Sequence, residues 1–212
     1  MAEQIGADGR ADDDLSDLIS AARDGDESAF VALYTAIQPG LLRYLRALVG
    51  QDAEDVASET WLQIARELQW FRGRASRFRS WVATLARRRA MEHLQTGARG
   101  RAAPVPVDEV DQLAHHHQTE AEAVAALGTD AAVRLIMTLP PDQAEAVLLR
   151  VVLDLDAAEA GRVLGKRAGA VRIAAHRGLR RLADQLERRA TTEASRSEAI
   201  VFPRSRPSGG LS

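Results

Sequence analysis

Three groups of side chains in this sequence have types and spacings that could do chemistry. In the first, Arg172, Ile173, His176, Arg177 and Arg180 share one side of a helix that starts near Gly169. Val171, Ala175, Gly178 and Leu182 fall at i, i+4, i+7 and i+11 on the other side. Guanidinium forks bond phosphates and guanine edges, and a histidine adds a donor or acceptor, so the outward face suits a DNA major groove. A solvated basic face with Ile173 packed on a neighbouring helix would use the same residues. The second group reads Trp70-Phe71-Arg72-Gly73-Arg74-Ala75-Ser76-Arg77-Phe78-Arg79-Ser80-Trp81, with Arg87, Arg88 and Arg89 after it. Rings stack on unpaired bases and arginines follow the backbone, so this interleaving suits single-stranded nucleic acid. Phe78, Trp81 and Leu85 at helical spacing fit a core equally well. In the third group Asp55, Glu59, Leu62 and Arg66 lie opposite an inward stripe of Ala57, Trp61, Ile64 and Leu68. A leucine ringed by charges is a protein-docking surface or a lone exposed apolar residue.

Bond-making chemistry is poorly represented. Gly161-Arg-Val-Leu-Gly165-Lys166 is one residue short of a phosphate-binding loop and continues with Arg167 in place of the hydroxyl that would ligate magnesium, so a turn is the better reading. His115-His116-His117 are sequence neighbours with no further ligand nearby, and Asp12-Asp13-Asp14 lacks the alternation and glycine of a calcium loop. Neither a GxSxG elbow nor an HExxH helix occurs. The expectation is a protein that is not an enzyme, with no metal site and no cofactor.

Several helices must position these groups. Leu15, Leu18, Ile19 and Ala22 begin an amphipathic helix that Gly25 ends, and Asp26 has the chemistry of the next N-cap. The stripe Ala29, Phe30, Leu33, Tyr34 and Ile37 follows, Pro39-Gly40 predicts a break, and Leu41, Tyr44, Leu45 and Leu48 predict a further helix to Gly50. A helix from Asp52, with Asp55 at the capping-box position, carries the third group. Another from about Arg77 to Gln95 carries most of the second. Leu139-Pro140-Pro141, an apolar run, a short helix and a Leu164-Gly165 turn lead into the arginine-rich helix, an order of signals that reads as a helix-turn-helix. Val147 to Leu153 could pass for a strand, but its position after Pro140-Pro141-Asp142 favours helix. The fold class is therefore all-α: an N-terminal helical bundle over 14–95 and a C-terminal helix-turn-helix domain over 131–188. An acidic flexible linker over 96–130, with at most a short helix from Glu120 to Leu127, joins them, and a disordered tail over 189–212 follows.

Charge is segregated along the chain. Its net charge is −2, yet residues 1–30 hold nine acids against two arginines, and residues 66–101 hold ten arginines against two acids. Residues 102–133 hold six acids and no Lys or Arg, and residues 162–189 hold nine Lys or Arg against two acids. Two cationic surfaces for a polyanion, joined by a segment that avoids it, account for this pattern. With no cysteine, disulfides and thiolate metal sites are impossible. No signal-peptide pattern or run of about 18 apolar residues occurs, so a cytoplasmic protein without membrane insertion is expected.

Together these segments resemble the extracytoplasmic-function (ECF) sigma factors of bacterial RNA polymerase. Asp26-Glu-Ser-Ala-Phe30-Val-Ala-Leu33-Tyr34 is similar to the family's opening GDxxAFxxLY helix, and Ala53-Glu54-Asp55-Val56-Ala-Ser-Glu59-Thr60-Trp61-Leu62 to its AEDVxQExxL segment. Phe71-Arg72-Gly73 and Phe78-Arg79-Ser80-Trp81 through Arg87 resemble its FRG…FxxWLxxIAR block. Leu139-Pro140-Pro141, Ala158-Glu159, Leu164-Gly165 and Gly169 through Arg177 resemble its second domain. The resemblance implies a transcription initiation factor without catalysis of its own. Its first domain would dock on the clamp helices of core polymerase through Asp55, Val56, Glu59, Leu62 and Arg66. It would also read and melt the −10 element with Arg72, Arg74, Arg77, Arg79, Trp81, Arg87 and Arg88. The second domain would read the −35 element with Arg172, Ile173, His176, Arg177 and Arg180, next to the polymerase flap. The linker would thread the polymerase's RNA path, and an anti-sigma factor is a further partner the resemblance allows. Ser58, Arg88, Glu92, Gln95, Ile173 and His176 depart from the family's usual residues, so its promoter sequences do not transfer to this chain.

Two other readings use parts of the same pattern. A helix-turn-helix regulator acting on duplex DNA without polymerase docking would need only the second domain. An adaptor that binds polymerase without reading promoters would need only the first. The Asp55–Leu62 face and the arginine–aromatic loop favour a sigma factor over the former, and the arginines from 172 to 180 favour it over the latter.

Overall fold

A computed structural model describes residues 2–100 and 131–201. Among them every regular element is a helix. The first four are α1 (Ala2–Arg23), α2 (Glu27–Val49), α3 (Ala53–Glu67) and α4 (Ala75–Gly100). The second domain has α5 over 131–137, α6 (Pro141–Val147) continued by a π-helical turn at Leu148–Val152, α7 (Ala157–Leu164) and α8 (Ala168–Val201). The expected short helix at 120–127, the three adjacent histidines, most of the expected linker and residues 202–212 lie outside the described residues.

Apolar periodicity sets the first bundle. Leu15 and Ile19 of α1, Leu33, Leu41, Tyr44 and Leu45 of α2, Val56, Ala57 and Ile64 of α3, and Phe78, Val82 and Ala86 of α4 converge on one core. The Asp26 carboxylate accepts from the backbone N–H groups of Ser28 and Ala29, the N-cap its position predicts. Pro39-Gly40 does not break the chain, because α2 runs unbroken from Glu27 to Val49. Proline removes one ladder bond and costs an isolated helix about 3 kcal/mol. Here the buried stripe Leu33, Ile37, Leu41, Tyr44 and Leu45 continues in phase across the site and outweighs that cost. Asp52 is not a side-chain cap either: it sits in a 3-10 turn and pairs with His93 of α4 at 2.8 Å. Asp55 accordingly serves no capping box.

The second domain follows its punctuation closely. Pro141 takes the first turn of α6, where its missing N–H costs nothing. Asp156 and Glu159 form a reciprocal capping box at the start of α7, a pair the sequence reading passed over. Gly165 closes α7 in the left-handed conformation at φ 65°, and the Lys166 N–H donates to the Gly161 carbonyl at 2.8 Å. The Gly161–Lys166 segment is thus the turn of a helix-turn-helix. Val171, Ala175, Gly178 and Leu182 face inward as their spacing predicts. A Cβ on Gly178 would lie 2.8 Å from the Val147 side chain, so the glycine permits the close crossing of α8 over α6. Beyond Leu182, α8 continues to Val201, so residues 189–201 are helical where the sequence predicted a disordered tail. Ala- and Arg-rich sequence with good helix propensity lets an already nucleated helix propagate.

Candidate nucleic-acid interface

On α3, burying Trp61, Ile64 and Leu68 turns the opposite side outward, and Asp55, Glu59, Leu62 and Arg66 are all exposed. Leu62 is 58% exposed, with the exposed Asp55, Glu59 and Arg66 on the same face. Val56 departs from the expectation: at 2% exposure it is part of the core and supports this face from beneath. Trp61 anchors α3 to α2. Its ring packs on Tyr34 at 4.9 Å and edge-on to Phe30 at 5.9 Å, and its indole N–H donates to Gln38 Oε1. Tyr34, which the sequence places in the apolar stripe of α2, is 40% exposed and with Val31 extends the apolar surface.

The arginine–aromatic segment divides between core and surface. Phe78 is fully buried, and Phe71, Phe78 and Trp81 form a triad with ring centroids 5.1–5.6 Å apart. Trp81 is half-buried and forms a wall of the site. Trp70, the first ring of this group, is 67% exposed. Trp70, Phe71, Trp81, Ser80 and Thr84, with Glu67, Arg72, Arg77 and Arg162 of α7, line an open recess of about 590 Å³, a size typical of ligand clefts. Arg72 lies at this rim, its guanidinium donating to the Gln69 and Phe71 carbonyls at 2.8 and 2.9 Å. Arg74 and Arg77 are exposed and make no ion pair among the described residues.

The remaining arginines of this group have partners. Arg79 is ion-paired with Asp12 of α1, and one turn on in α1 the Ser16 hydroxyl accepts the Ala75 N–H. The acidic first helix therefore caps the N-terminus of α4. Arg87 donates to both oxygens of Glu145 on α6, at 2.5 and 3.3 Å. That carboxylate raises the guanidinium's pKa above its usual value, against the opposing effect of burial. Arg88 is exposed, 3.8 Å from Glu92 across one helical turn. Arg89 donates to Gln63 at 3.1 Å and ties α4 to α3.

On α8, Arg172, Ile173, His176, Arg177 and Arg180 are all exposed on one face, and Ile173 packs on no neighbouring helix, since it is 55% exposed. Lys166, at the turn, is held by Asp142 at 2.7 Å and stands apart from this row. Among the described residues no helix is long and apolar enough to cross a membrane, and no cluster of three metal-ligating side chains occurs.

Known proteins carry the same two modules in the same order. The Sigma-70 region 2 family matches residues 33–100, and the Sigma-70 region 4 family matches residues 129–182. The ECF RNA polymerase sigma factor SigD of Mycobacterium tuberculosis is 31% identical over 182 residues, covering 81% of this chain and 84% of SigD. The ECF sigma factor BldN of Streptomyces coelicolor is 31% identical over 171 residues, covering 80% of this chain, and the chain spans 64% of BldN's length. The fold is also that of CnrH, solved in complex with the cytosolic domain of CnrY, with a TM-score of 0.57, 18% identity and coverage of 82% of this chain and 97% of that one. With both sigma-70 modules matched and SigD aligned over most of its length, the chain belongs to the ECF sigma factors of RNA polymerase.

Proposed function

We propose that this chain does the family's work, directing core RNA polymerase to promoters, through three surfaces of its own. The α3 face of Asp55, Glu59, Leu62 and Arg66 docks on the polymerase, with exposed Tyr34 and Val31 of α2 extending it. The recess between Trp70 and Trp81 receives an unstacked base of the −10 strand, while Arg72, Arg74 and Arg77 hold its backbone and Arg79, Arg87 and Arg88 extend the cationic track along α4. The α8 row from Arg172 to Arg180 enters the major groove of the −35 element. The domains that carry these surfaces span 14–95 and 131–188.

The recess carries this reading. A regulator of duplex DNA needs a recognition helix but has no use for an exposed tryptophan beside an arginine-rimmed cleft. A base that must leave the stack needs exactly those two things: a ring to lie on and cations for its phosphates. Run-off transcription with core polymerase on a promoter library, with and without the chain, tests the reading. Discrete start sites that depend on the chain are the expected result, and their absence, with duplex binding intact, would favour the polymerase-independent regulator. An anti-sigma factor is a fitting further partner, since the similarly folded sigma factor RpoE of Bartonella quintana was solved in complex with the anti-sigma factor NepR.

A further inference from the structure

Ile173 is the residue of the α8 face that its surroundings explain least. It is 55% exposed. Val171 and Ala175, both buried, lie two residues to either side of it, so at about 3.6 residues per turn it points almost directly away from the core. Exposed Arg172, His176, Arg177 and Arg180 stand around it. The crest of a cationic row is therefore apolar and β-branched, and a stiff χ1 holds the side chain in place before any partner arrives. A lone exposed isoleucine elsewhere needs no account, but this one occupies the position that meets the floor of a groove.

The turn before it is nearly bare. Gly169 and Ala170 are both exposed, and a Cβ on Gly169 would meet nothing within 4 Å. Gly169 does not have a positive φ either, so neither packing nor backbone conformation within the chain calls for a glycine there. Glycine weakens a helix relative to alanine, and what its missing side chain serves is the close approach of a partner.

In a major groove every base edge presents donors or acceptors, and thymine alone adds a methyl group. A polar edge opposite Ile173 would be stripped of water without a bond in return. The thymine methyl, by contrast, gains from being covered by an apolar side chain. We infer that Ile173 reads a thymine of the −35 element through its C5 methyl, beside the base that Arg172 contacts. Gly169 and Ala170 let the helix come close enough for that contact. The inference rests on reading α8 as the −35 helix.

Exchanging deoxythymidine for deoxyuridine removes that methyl and leaves every hydrogen-bonding group of the base pair in place. Holoenzyme reconstituted from the full chain and core polymerase first selects a preferred element from promoters with a randomised −35 region. Each thymine of that element, on either strand, is then replaced by deoxyuridine, and binding is measured by competition. One thymine should stand out, its exchange lowering affinity about fourfold, the worth of one buried methyl group. Ile173→Ala should bind thymine and uracil alike at that position while keeping its preferences elsewhere. Gly169→Leu, which puts a good helix former one turn before Ile173, should hold the helix off the bases and abolish the same difference. Helical circular dichroism checks that both variants fold. A selected element without thymine, an element in which no exchange matters, or a sensitivity that survives Ile173→Ala would overturn Ile173 as the reader of a methyl. A sensitivity that survives Gly169→Leu would overturn the close approach at Gly169. If the selection returns no base preference at −35 at all, the reading of α8 as the −35 helix has failed, and the inference falls with it.

Discussion

At the scale of single residues, the outward positions were legible wherever helical period alone decides direction. Asp55, Glu59, Leu62 and Arg66 follow from the stripe they oppose, and Arg172 to Arg180 follow from Val171, Ala175, Gly178 and Leu182. Val56 shows the limit of motif matching, since it sits one position from an exposed carboxylate and faces the core. Arg87 shows another limit, because its capture by Glu145 depends on a residue far away in sequence. Leu62→Arg should weaken binding to core polymerase by about 2 kcal/mol, roughly thirtyfold, because a central interface side chain becomes a buried charge. Co-purification with core enzyme measures this, and an unchanged yield with an unchanged helical signal would take the α3 face out of the argument. On α8, Arg172 and His176 lie nearer the N-terminal end, which first enters a groove, and Arg180 lies two turns along. Arg172→Ala should relax preference at one or two −35 positions, at about 1–3 kcal/mol if it forks onto guanine. Arg180→Ala should weaken all sequences alike and reduce the salt dependence by about one phosphate contact. Binding to single-base −35 variants at several salt concentrations distinguishes them, and the reverse pattern would mean the helix docks in the opposite sense.

At the scale of elements, caps and glycines were recognised as punctuation more reliably than they were understood. Asp26 is the N-cap its position implies, and Gly165 is the left-handed C-cap that a helix-turn-helix needs. Pro39-Gly40 carried the same punctuation marks and meant something else, because a stripe in phase on both sides keeps the helix intact and the glycine serves a neighbouring backbone. Gly161 is the element-scale test. A Cβ there would fall 2.6 Å from the Lys166 carbonyl, inside the turn that sets α8 against α7, whereas a Cβ on Gly169 in the first turn of α8 meets nothing within 4 Å. Gly161→Ala should therefore destabilise the second domain by about 1–3 kcal/mol, the usual cost of forcing a packed backbone apart. Gly169→Ala should be neutral or stabilising by up to about 1 kcal/mol through helix propensity. Denaturant unfolding of the full chain, followed by circular dichroism, compares the two. Equal effects would mean that the turn is looser than its geometry requires.

At the scale of the whole molecule, the all-α class and the two modules could be read from the sequence, while the seam between them could not. No periodicity encodes a contact between α2 and the π-helical turn at Leu148–Val152, and the charge segregation that suggested two separate cationic surfaces gave no hint that Arg87 would face an acid from the other domain. Tyr44 registers this seam. It is fully exposed to neither water nor a hydrogen-bond partner, since its hydroxyl is buried and unpaired. Burial raises its pKa well above the usual value of 10.0, the nearby Glu145 carboxylate raises it further, and Arg87 partly offsets both. A group whose folded-state pKa is raised binds its proton more tightly in the native state, so its contribution to stability is present below the unfolded-state pKa and is lost as the pH climbs beyond it. Stability should therefore hold to about pH 10 and then fall by up to about 1.4 kcal/mol per pH unit from this group. Tyr44→Phe removes both the titration and a buried hydroxyl that bonds nothing, so it should be neutral or stabilising at pH 7 and should flatten the alkaline decline. Thermal unfolding from pH 7 to 11 measures both effects. A Tyr44→Phe protein that is clearly less stable at pH 7 would mean that the hydroxyl has a partner, and an alkaline decline unchanged by the substitution would place the titrating group elsewhere.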